Sequence, residues 1–363
     1  MSKISATIVA DSINQQGDRI TTMLVTFPRF ILAELNTHKM LSKNSASSRA
    51  IPFKKMVESV QNNPFIPIAW QKEHSGMQGA EYFTDKNEIL SLNDIWLMGR
   101  DAAVGRASAL TNLKATKQLA NRLLEPFMYH TVLITSTEWE NFFSLRCPQY
   151  EVFDKNMKPR YYKSRKDFLK DNPHLHNNYK DAKELDWLKI NKGQAEIHMM
   201  ALAEAMWDAM NESAPKLLEP GEWHIPFYDT SDKFGPGPWV DYCNINSDVD
   251  YHSLEEFIQF RIKVSTAMAA RTSYTVVGEE KEVSYETLIG IHDKMAKADP
   301  FHASPFEHCA RAMSNEEYNT FVKGKCFYQE ALNAHVPIGN SLGWCRNYKG
   351  FIQYREILEH DKS

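Results

Sequence analysis

Residues 4–9 and 20–25 are apolar and β-branched runs on either side of the polar stretch Asn14-Gln15-Gln16-Gly17-Asp18, a pattern that predicts two strands joined as a hairpin. Pro28 then opens a short helix in which Phe30, Ile31 and Leu35 recur at helical spacing, and this helix delivers His38 and Lys39 near its C-terminal end. Pro52 suits the first turn of a further helix with Met56, Val57 and Val60 inward. From about 85 to 124 the spacing of Ile95, Ala103, Leu110, Leu119 and Leu123 predicts mostly helix, stopped by Pro126. A β-branched cluster over 128–135 reads as a strand, and 139–145 as a helix ending at Arg146-Cys147-Pro148. A strongly amphipathic helix is expected over 194–210, further helices over 254–268 and 285–296, and a strand over 306–313. Residues 223–249 are rich in Pro, Gly and Asp and read as loop. The stretch 150–191 carries Lys, Asp, Asn and Tyr with little periodicity and a turn at Asn172-Pro173, so it reads as an inserted surface segment. Helices alternating with short strands, without internal repeats, indicate an α+β protein built around one core.

Composition narrows the class. At 363 residues, core size is no constraint. A net charge of −4 from mixed signs argues against a generic nucleic-acid binder. The aromatic content of 12% fits a folded enzyme or binding protein. No apolar run approaches the roughly 20 residues that span a bilayer, so no membrane partner is expected. The start, Met1-Ser2-Lys3-Ile4-Ser5, lacks a signal-peptide core. Cys147, Cys243, Cys309, Cys326 and Cys345 are widely spaced with no CxxC pair, which reads as a reducing cytoplasm without structural zinc. The expectation is a soluble cytoplasmic protein.

Chemistry concentrates in Thr37-His38-Lys39-Met40-Leu41-Ser42-Lys43-Asn44-Ser45-Ala46-Ser47-Ser48-Arg49. These thirteen residues hold four cations or potential cations, one amide and four serine hydroxyls. Donors at that density cannot form a dry core, because each unpaired buried polar group costs about 1–3 kcal/mol. They suit an anion such as phosphate, and a solvated helix end with a Ser-rich loop is the other reading. Arg271, Thr272 and Ser273 cluster at a helix end, where a cap is the commoner role. His302, Glu307 and His308 surround a Pro turn, but their spacing matches no common zinc pattern. Arg122 precedes Pro126 by four residues, placed for a ligand phosphate or for the last helix carbonyls. Asn141 and Arg146 are a little more than one helical turn apart. Cys147, beside Arg146, is a structural thiol or an activated one. Arg346, Asn347 and Arg355 are weaker candidates.

Together these pieces resemble the flavin-dependent thymidylate synthases (the ThyX type). That family's signature is Arg-His-Arg, seven residues, then Ser, extended as Ser-x-Asn-x-x-Ser-x-Arg. His38, Ser42, Asn44, Ser47 and Arg49 fall in register, with Thr37 and Lys39 in place of the two arginines. Phe27 to Ala33 resembles the apolar lead-in, and Arg122 with Pro126 is similar to an Arg-x-x-x-Pro element. Asn141 to Arg146 resembles an Asn-x-x-x-Leu-Arg helix, and Gln194 to Ile197 an Ala-Gln-x-Glu-Ile element. The segments 269–274 and 302–308 resemble elements that precede Arg-His-Arg in the family order, whereas here they lie near the C-terminus. A circularly permuted member follows from that reading, with a ThyX-like central, mostly antiparallel sheet flanked by helices. About two-thirds of the chain is covered. Residues 1–363 would form one catalytic domain, with 150–191 inserted and 314–363 a C-terminal extension.

The resemblance implies reductive methylation of dUMP to dTMP, with methylenetetrahydrofolate as one-carbon donor and FAD reduced by NADPH. It places His38, Lys39, Asn44, Ser273, His302 and Ser304 against FAD. Ser47 and Arg49 would take the nucleotide phosphate, assisted by Arg122, and Glu34 stands where a Gln often touches nucleotide. Ser47 and Arg146 carry the catalytic assignment, Arg146 facing the pyrimidine carbonyl edge. No metal is implied, and a homotetramer is. Glu34 replaces an amide by an acceptor and Ser45 stands where an acidic residue is usual. These departures open an alternative, methylation or hydroxymethylation of another pyrimidine deoxynucleotide such as dCMP. A non-catalytic nucleotide-binding relative is a third possibility, and a folate enzyme using Cys147 as nucleophile a fourth.

Overall fold

The computed structural model describes residues 4–75, 79, 81–228, 236–246, 248–274, 283–319 and 343–360. Its centre is a five-stranded sheet. β1 (Ser5–Asn14) and β2 (Arg19–Pro28) form the expected hairpin, with Gly17 at φ 86° in its turn, a left-handed conformation that suits glycine. Their register shifts between Ile8 and Ala10, and the carbonyl of Val9 in that bulge accepts from the Phe227 amide at 3.1 Å. Pro28 ends β2, where its missing N–H costs no ladder bond. A turn of 3-10 helix (Arg29–Ile31) follows, then α1 (Leu32–Leu35), with Ile31 and Leu35 buried and Phe30 on the surface.

β3 (Ser42–Ser45) leads to α2 (Phe53–Asn62), α3 (Lys86–Asn112) and α4 (Lys117–Ala120). Met56 and Val60 point inward as expected, whereas Val57 is half-buried. Asp85 caps α3 by accepting from the amides of Asn87 and Glu88. Pro126 ends the helical region from within a 3-10 segment (Asn121–Phe127). β4 (Tyr129–Ser136) then enters between β3 and β2, antiparallel to both, and α5 (Glu140–Arg146) follows. The sheet order is β3-β4-β2-β1-β7, mostly antiparallel, with β7 (Lys216–Leu218) parallel to β1.

Residues 150–190 are more regular than their composition predicts. They form the hairpin β5 (Tyr150–Phe153) and β6 (Pro159–Tyr162), then α6 (Arg165–Asp171), α7 (His176–Tyr179) and α8 (Glu184–Ile190). Tyr150, Phe168 and Trp187 supply a small core of their own, which is why scattered aromatics without period produced structure. α9 (Ile197–Glu212) starts later than the periodicity suggests, because the Glu196 carboxylate accepts from the amides of His198 and Met199 and sets the first turn.

The stretch predicted as loop after 223 contains β8 (Trp223–His224) and α10 (Pro236–Ile245). Pro and Gly stand in the first turn of α10, where proline is tolerated, and buried Trp239 anchors the helix against Phe260 and Tyr285. α11 (Leu254–Arg271) and α12 (Tyr285–Ala296) match their expected positions. The strand expected over 306–313 shrinks to β9 (Ala310–Ala312), because Pro305 begins a 3-10 turn over Ser304–Glu307. The hairpin β10 (Trp344–Cys345) and β11 (Tyr348–Lys349), then β12 (Phe351–Gln353) and α13 (Tyr354–His360), close the chain. β12, β9 and β8 form a second sheet in that order.

The two faces of the main sheet differ. Met23, Val25, Phe27, Val132 and Ile134 pack on Met199, Leu202 and Met206 of α9 and Phe142 and Phe143 of α5. At full burial each such side chain contributes about 1.5–3 kcal/mol. Behind the sheet, Ser12, Thr22 and Thr135 form a buried polar chain with His224 and His308, and its links are 2.7–2.9 Å. Among the described residues no helix is long and apolar enough to cross a membrane.

Candidate functional site

Segment 34–49 leaves α1, forms β3 at the edge of the main sheet and runs on toward α2, so its side chains meet four different parts of the fold. At its start, Thr37 Oγ1 donates to the Glu34 carbonyl at 2.6 Å and the His38 amide to the Leu35 carbonyl at 3.3 Å. These bonds finish the helical turn and hold His38 under α5. There Arg146, in the last turn of α5, donates from Nε to His38 Nε2 at 3.0 Å and from Nη1 to Glu34 Oε2 at 3.3 Å. Nε2 of His38 is therefore an acceptor and the ring is neutral. Burial, then Arg146 and Lys43, push its pKa below the usual value. Phe142 packs edge-on against the same ring, centroids 5.0 Å apart. Burial raises the Glu34 pKa, with Arg146 opposing and Glu196 adding. Nε and Nη1 of the guanidinium are thus each held by a partner, and Nη2 has none among the described residues.

His38 also lines a cavity of about 650 Å³, together with Lys39, Glu138, Asn141, Phe142 and Trp344. Asn141, paired with Arg146 by spacing in the sequence, thus shares this cavity with His38, to which Arg146 is bonded. Lys39 and Leu41 separate this cavity from a second one of about 430 Å³, which they also line.

Farther along, Asn44 is buried in β3 and works as a clasp. Its Nδ2 donates to the Ala269 carbonyl in the last turns of α11, and its Oδ1 accepts from Ser304 Oγ at 3.2 Å. The Ser47 amide donates to the Ser273 carbonyl at 2.9 Å. Segments 269–273 and 304–307, more than 220 residues away in sequence, are therefore bonded directly to β3 and its exit. His302 is exposed two residues before Ser304 and joins none of these contacts. Glu307 pairs with Arg355 at 2.5 Å and His308 binds Thr135, so the turn of His302, Glu307 and His308 spreads its side chains in different directions.

Ser47 Oγ accepts from the Arg49 amide at 3.3 Å, and exposed Arg49 donates to Gln118 at 3.3 Å. The loop between them is held by buried Asn121, whose Nδ2 donates to the carbonyls of Ser48 and Ile51. Arg122 pairs with Glu125 at 3.2 Å, and Arg29 approaches the same carboxylate at 3.6 Å. Both arginines line a groove of about 430 Å³ that reaches Asn36. Cys147 is buried in the main core and its thiol pKa is pushed well above normal by that burial, which removes the basis for a thiolate nucleophile.

Lys43, one of the segment's four cations, sits between two motif positions. Two further residues with a place here carried little sequence signal. Trp344 and Gln353 belong to a C-terminal stretch with no motif, and only the fold brings them to segment 37–45.

No protein-family model matches the chain, and no curated protein matches it. Two solved structures are similar to it in part. One is a UMP/dUMP methylase, PolB from Streptomyces cacaoi, bound with 5-Br dUMP: 12% identity, 58% of this chain, 91% of that chain, TM-score 0.38. The other is the same methylase bound with 5-Br UMP: 15% identity, 40% of this chain, 78% of that chain, TM-score 0.31.

Proposed function

We propose that the chain is an FAD-dependent pyrimidine-nucleotide C5 methylase of the thymidylate synthase type, converting dUMP to dTMP with methylenetetrahydrofolate and NADPH. The observation that carries this is convergence. Motif pieces at 269–273 and 304, dispersed in sequence, are hydrogen-bonded to the 44–47 motif, while Arg146 is bonded to His38 and Glu34. The same contacts support a circularly permuted order, since the C-terminal pieces pack where N-terminal ones would. An experimental structure in which 269–273 lies away from β3 would remove that part of the proposal.

His38 and Lys39 fit the group. The two adjoining cavities have the size of ligand sites, and Lys39 and Lys43 have no hydrogen-bonded carboxylate among the described residues. Lys39 and His38 would hold FAD there, and FAD would supply the hydride that completes the methyl group; Asn44, Ser273, His302 and Ser304, expected beside them, line neither of these two cavities, and the Asn44 amide is spent on Ala269 and Ser304. Ser47 and Arg49 would hold the nucleotide phosphate, and Arg122 would assist from the neighbouring groove. Arg146 Nη2 would donate to a pyrimidine carbonyl and stabilise the negative charge that develops when C5 becomes nucleophilic. Glu34 and His38 keep the guanidinium in one orientation, so no reorganisation accompanies that charge.

Tetrameric assembly belongs to the same proposal, and α3 supports self-association. Only Ala107 of its residues is fully buried. The face turned away from the core carries Ile95 and Met98, 66% and 70% exposed, followed by Ala102, Gly105 and Ala109 at heptad spacing. An antiparallel second copy of α3 sets Ile95 opposite Gly105 and Met98 opposite Ala102, bulky against small. It also brings the acidic start (Asp85, Glu88, Asp94) to the basic end (Arg106, Lys114, Lys117) of its mate.

Purified protein should be yellow with a flavin spectrum, and should release the C5 hydrogen of dUMP when methylenetetrahydrofolate and NADPH are added. A colourless protein that takes up no FAD refutes the reading. A half-exposed carboxylate at Glu34 is the one feature that favours a base bearing an amino group, as in dCMP. Mass analysis of products from dUMP and dCMP separates methyl from hydroxymethyl transfer. Nucleotide affinity without turnover on either base identifies a non-catalytic relative.

A further inference from the structure

We infer that the outward face of the β5–β6 hairpin binds single-stranded nucleic acid, with bases stacked on Phe153 and Tyr161 and phosphates held by Lys155, Lys158 and Arg160. The net charge of the whole chain conceals a local excess of cations here. Residues 150–192 carry eleven Lys and Arg against seven Asp and Glu, a charge of +4 in a chain whose total is −4. The hairpin lies outside the motif positions and lines neither of the cavities at His38 and Lys39.

Side chains alternate across a two-stranded ribbon, and the two faces of this one have different fates. Tyr150 and Tyr162 stand opposite each other and turn inward, Tyr150 packing on Trp187 and Tyr162 on Phe168. The other face carries Phe153 opposite Pro159 and Tyr161 opposite Glu151, so the two rings are diagonal neighbours on adjacent strands. Although the segment has an aromatic core of its own, these rings stay out of it, Phe153 53% and Tyr161 51% exposed. Tyr161 Oη donates to Glu151 Oε1 at 3.2 Å, and Lys192 Nζ approaches the same carboxylate at 3.6 Å. The phenol ring is thereby held across the face, and the acid beside it is neutralised.

The turn that joins the strands is both fixed and cationic. Asp154 Oδ1 accepts from the amides of Asn156 at 2.8 Å and Lys158 at 2.9 Å, and the Asp154 amide donates to the Lys158 carbonyl at 2.9 Å. Lys155, Lys158 and Arg160 are exposed and form no ion pair among the described residues. Open aromatic faces bordered by cations match a polymer in which rings and phosphates alternate. The rings of that polymer must be unpaired for their faces to be free, which selects a single strand over a duplex. An acidic peptide would engage the lysines and leave Phe153 and Tyr161 without a stacking partner.

The test needs no methylation substrate, so it fails or succeeds independently of the proposed activity. Anisotropy of a labelled oligothymidylate of about twelve nucleotides is followed with the full chain from about 50 to about 200 mM salt. Affinity should fall with a log–log slope of about −2, the value for three phosphate contacts on a single strand. Phe153→Ala and Tyr161→Ala should each weaken binding about tenfold with the slope unchanged. Lys158→Gln should reduce the slope by about 0.7, and Lys86→Gln, at an exposed position of α3, should change neither quantity. In the unmutated protein, a strand carrying 5-iodouracil should photocrosslink to the peptide that contains Phe153 and Tyr161, a readout that stands even if a variant folds poorly. Crosslinks confined to residues 34–49 or to Arg146 place the strand at the proposed nucleotide site and overturn the inference. Absence of binding at the lowest salt, or tighter binding of a duplex, overturns it equally. An abasic strand or heparin binding as tightly as the oligothymidylate makes the hairpin a surface for anionic polymers in general, and also overturns it.

Discussion

Acidification should destabilise this fold through its buried imidazoles, and the size of the effect can be worked out. His130, His224 and His308 are almost wholly buried, and burial pushes each down to about 3 from an ordinary 6.5. Arg29 adds to this at His130 and His224 adds at His308, while Asp11 opposes it at His224. Their folded pKa values lie below the unfolded one, so the unfolded chain binds more protons between about pH 3 and 6.5. The stability they preserve is complete above that window and is lost as pH falls through it. Going from pH 7.5 to pH 5 costs about 2 kcal/mol for each ring, or about 6 kcal/mol for the three. Glu204 works in the opposite direction. Burial raises it to about 7, with Arg165 and the Tyr150 hydroxyl opposing, so the folded state takes up a proton first and gains about 2 kcal/mol over the same interval. The balance is a loss of about 4 kcal/mol, a large fraction of a typical domain's stability of about 5–15 kcal/mol. Urea unfolding followed by tryptophan fluorescence at the two pH values measures it directly. Glu204→Gln removes the opposing contribution, so its loss between the same pH values should rise to about 6 kcal/mol. Equal stability at pH 7.5 and pH 5, or a Glu204→Gln slope no steeper than wild type, would refute the reasoning.

Three further outcomes are expected. Arg146→Lys should lower the rate of C5-hydrogen release by about 10²–10³-fold, the scale of one lost oxyanion donor, because an ammonium cannot serve His38, Glu34 and a carbonyl at once; turnover within threefold of wild type would remove Arg146 from catalysis. Asn44→Ala should cost about 1–3 kcal/mol in urea unfolding, since the Ala269 carbonyl and the Ser304 hydroxyl both lose their buried partner; an unchanged midpoint would show that the clasp contributes nothing. Met98→Glu should shift the protein to a smaller species in light scattering without changing its circular dichroism, and unchanged mass would place the subunit interface elsewhere than α3.

Where a local rule decided an element, the sequence was readable. The β1–β2 hairpin follows from two β-branched runs around a Gly turn, and α11 and α12 follow from apolar spacing behind Ser253 and Ser284, each of which caps its helix. Elements that depend on distant partners were not readable in this way. α10 begins with Pro-Gly-Pro and forms because Trp239 finds Phe260 and Tyr285, neither of which its own composition announces. Residues 150–190 lack period because each of their helices is short and is held by a few aromatics and by the Arg165–Glu204–Tyr150 network.

The site divides along the same line. His38, Asn44, Ser47 and Arg146 stood out because their spacing resembled a known motif, yet spacing said nothing of their partners. The structure shows that Asn44 spends its amide on Ala269 and Ser304, so it holds the fold at the site, and His38 spends Nε2 on Arg146. The groups with donor capacity left over are the ones the motif passed over or changed, Lys43 and Lys39, together with the outer edge of Arg146. A carboxylate at position 45 would neutralise those lysines from within β3, whereas the serine present leaves their charge for an incoming anion. The departures from the motif at 39 and 45 are therefore coupled to Lys43 through one electrostatic field. On this reading, introducing a negative charge at position 45 alone should lower anion affinity in the cavity that Lys39, Lys43 and Ser45 line more than removing the hydroxyl does. Calorimetry of Ser45→Glu beside Ser45→Ala decides this: a larger drop with pyrophosphate in Ser45→Glu than in Ser45→Ala supports the coupling, and equal affinities in the two variants refute it.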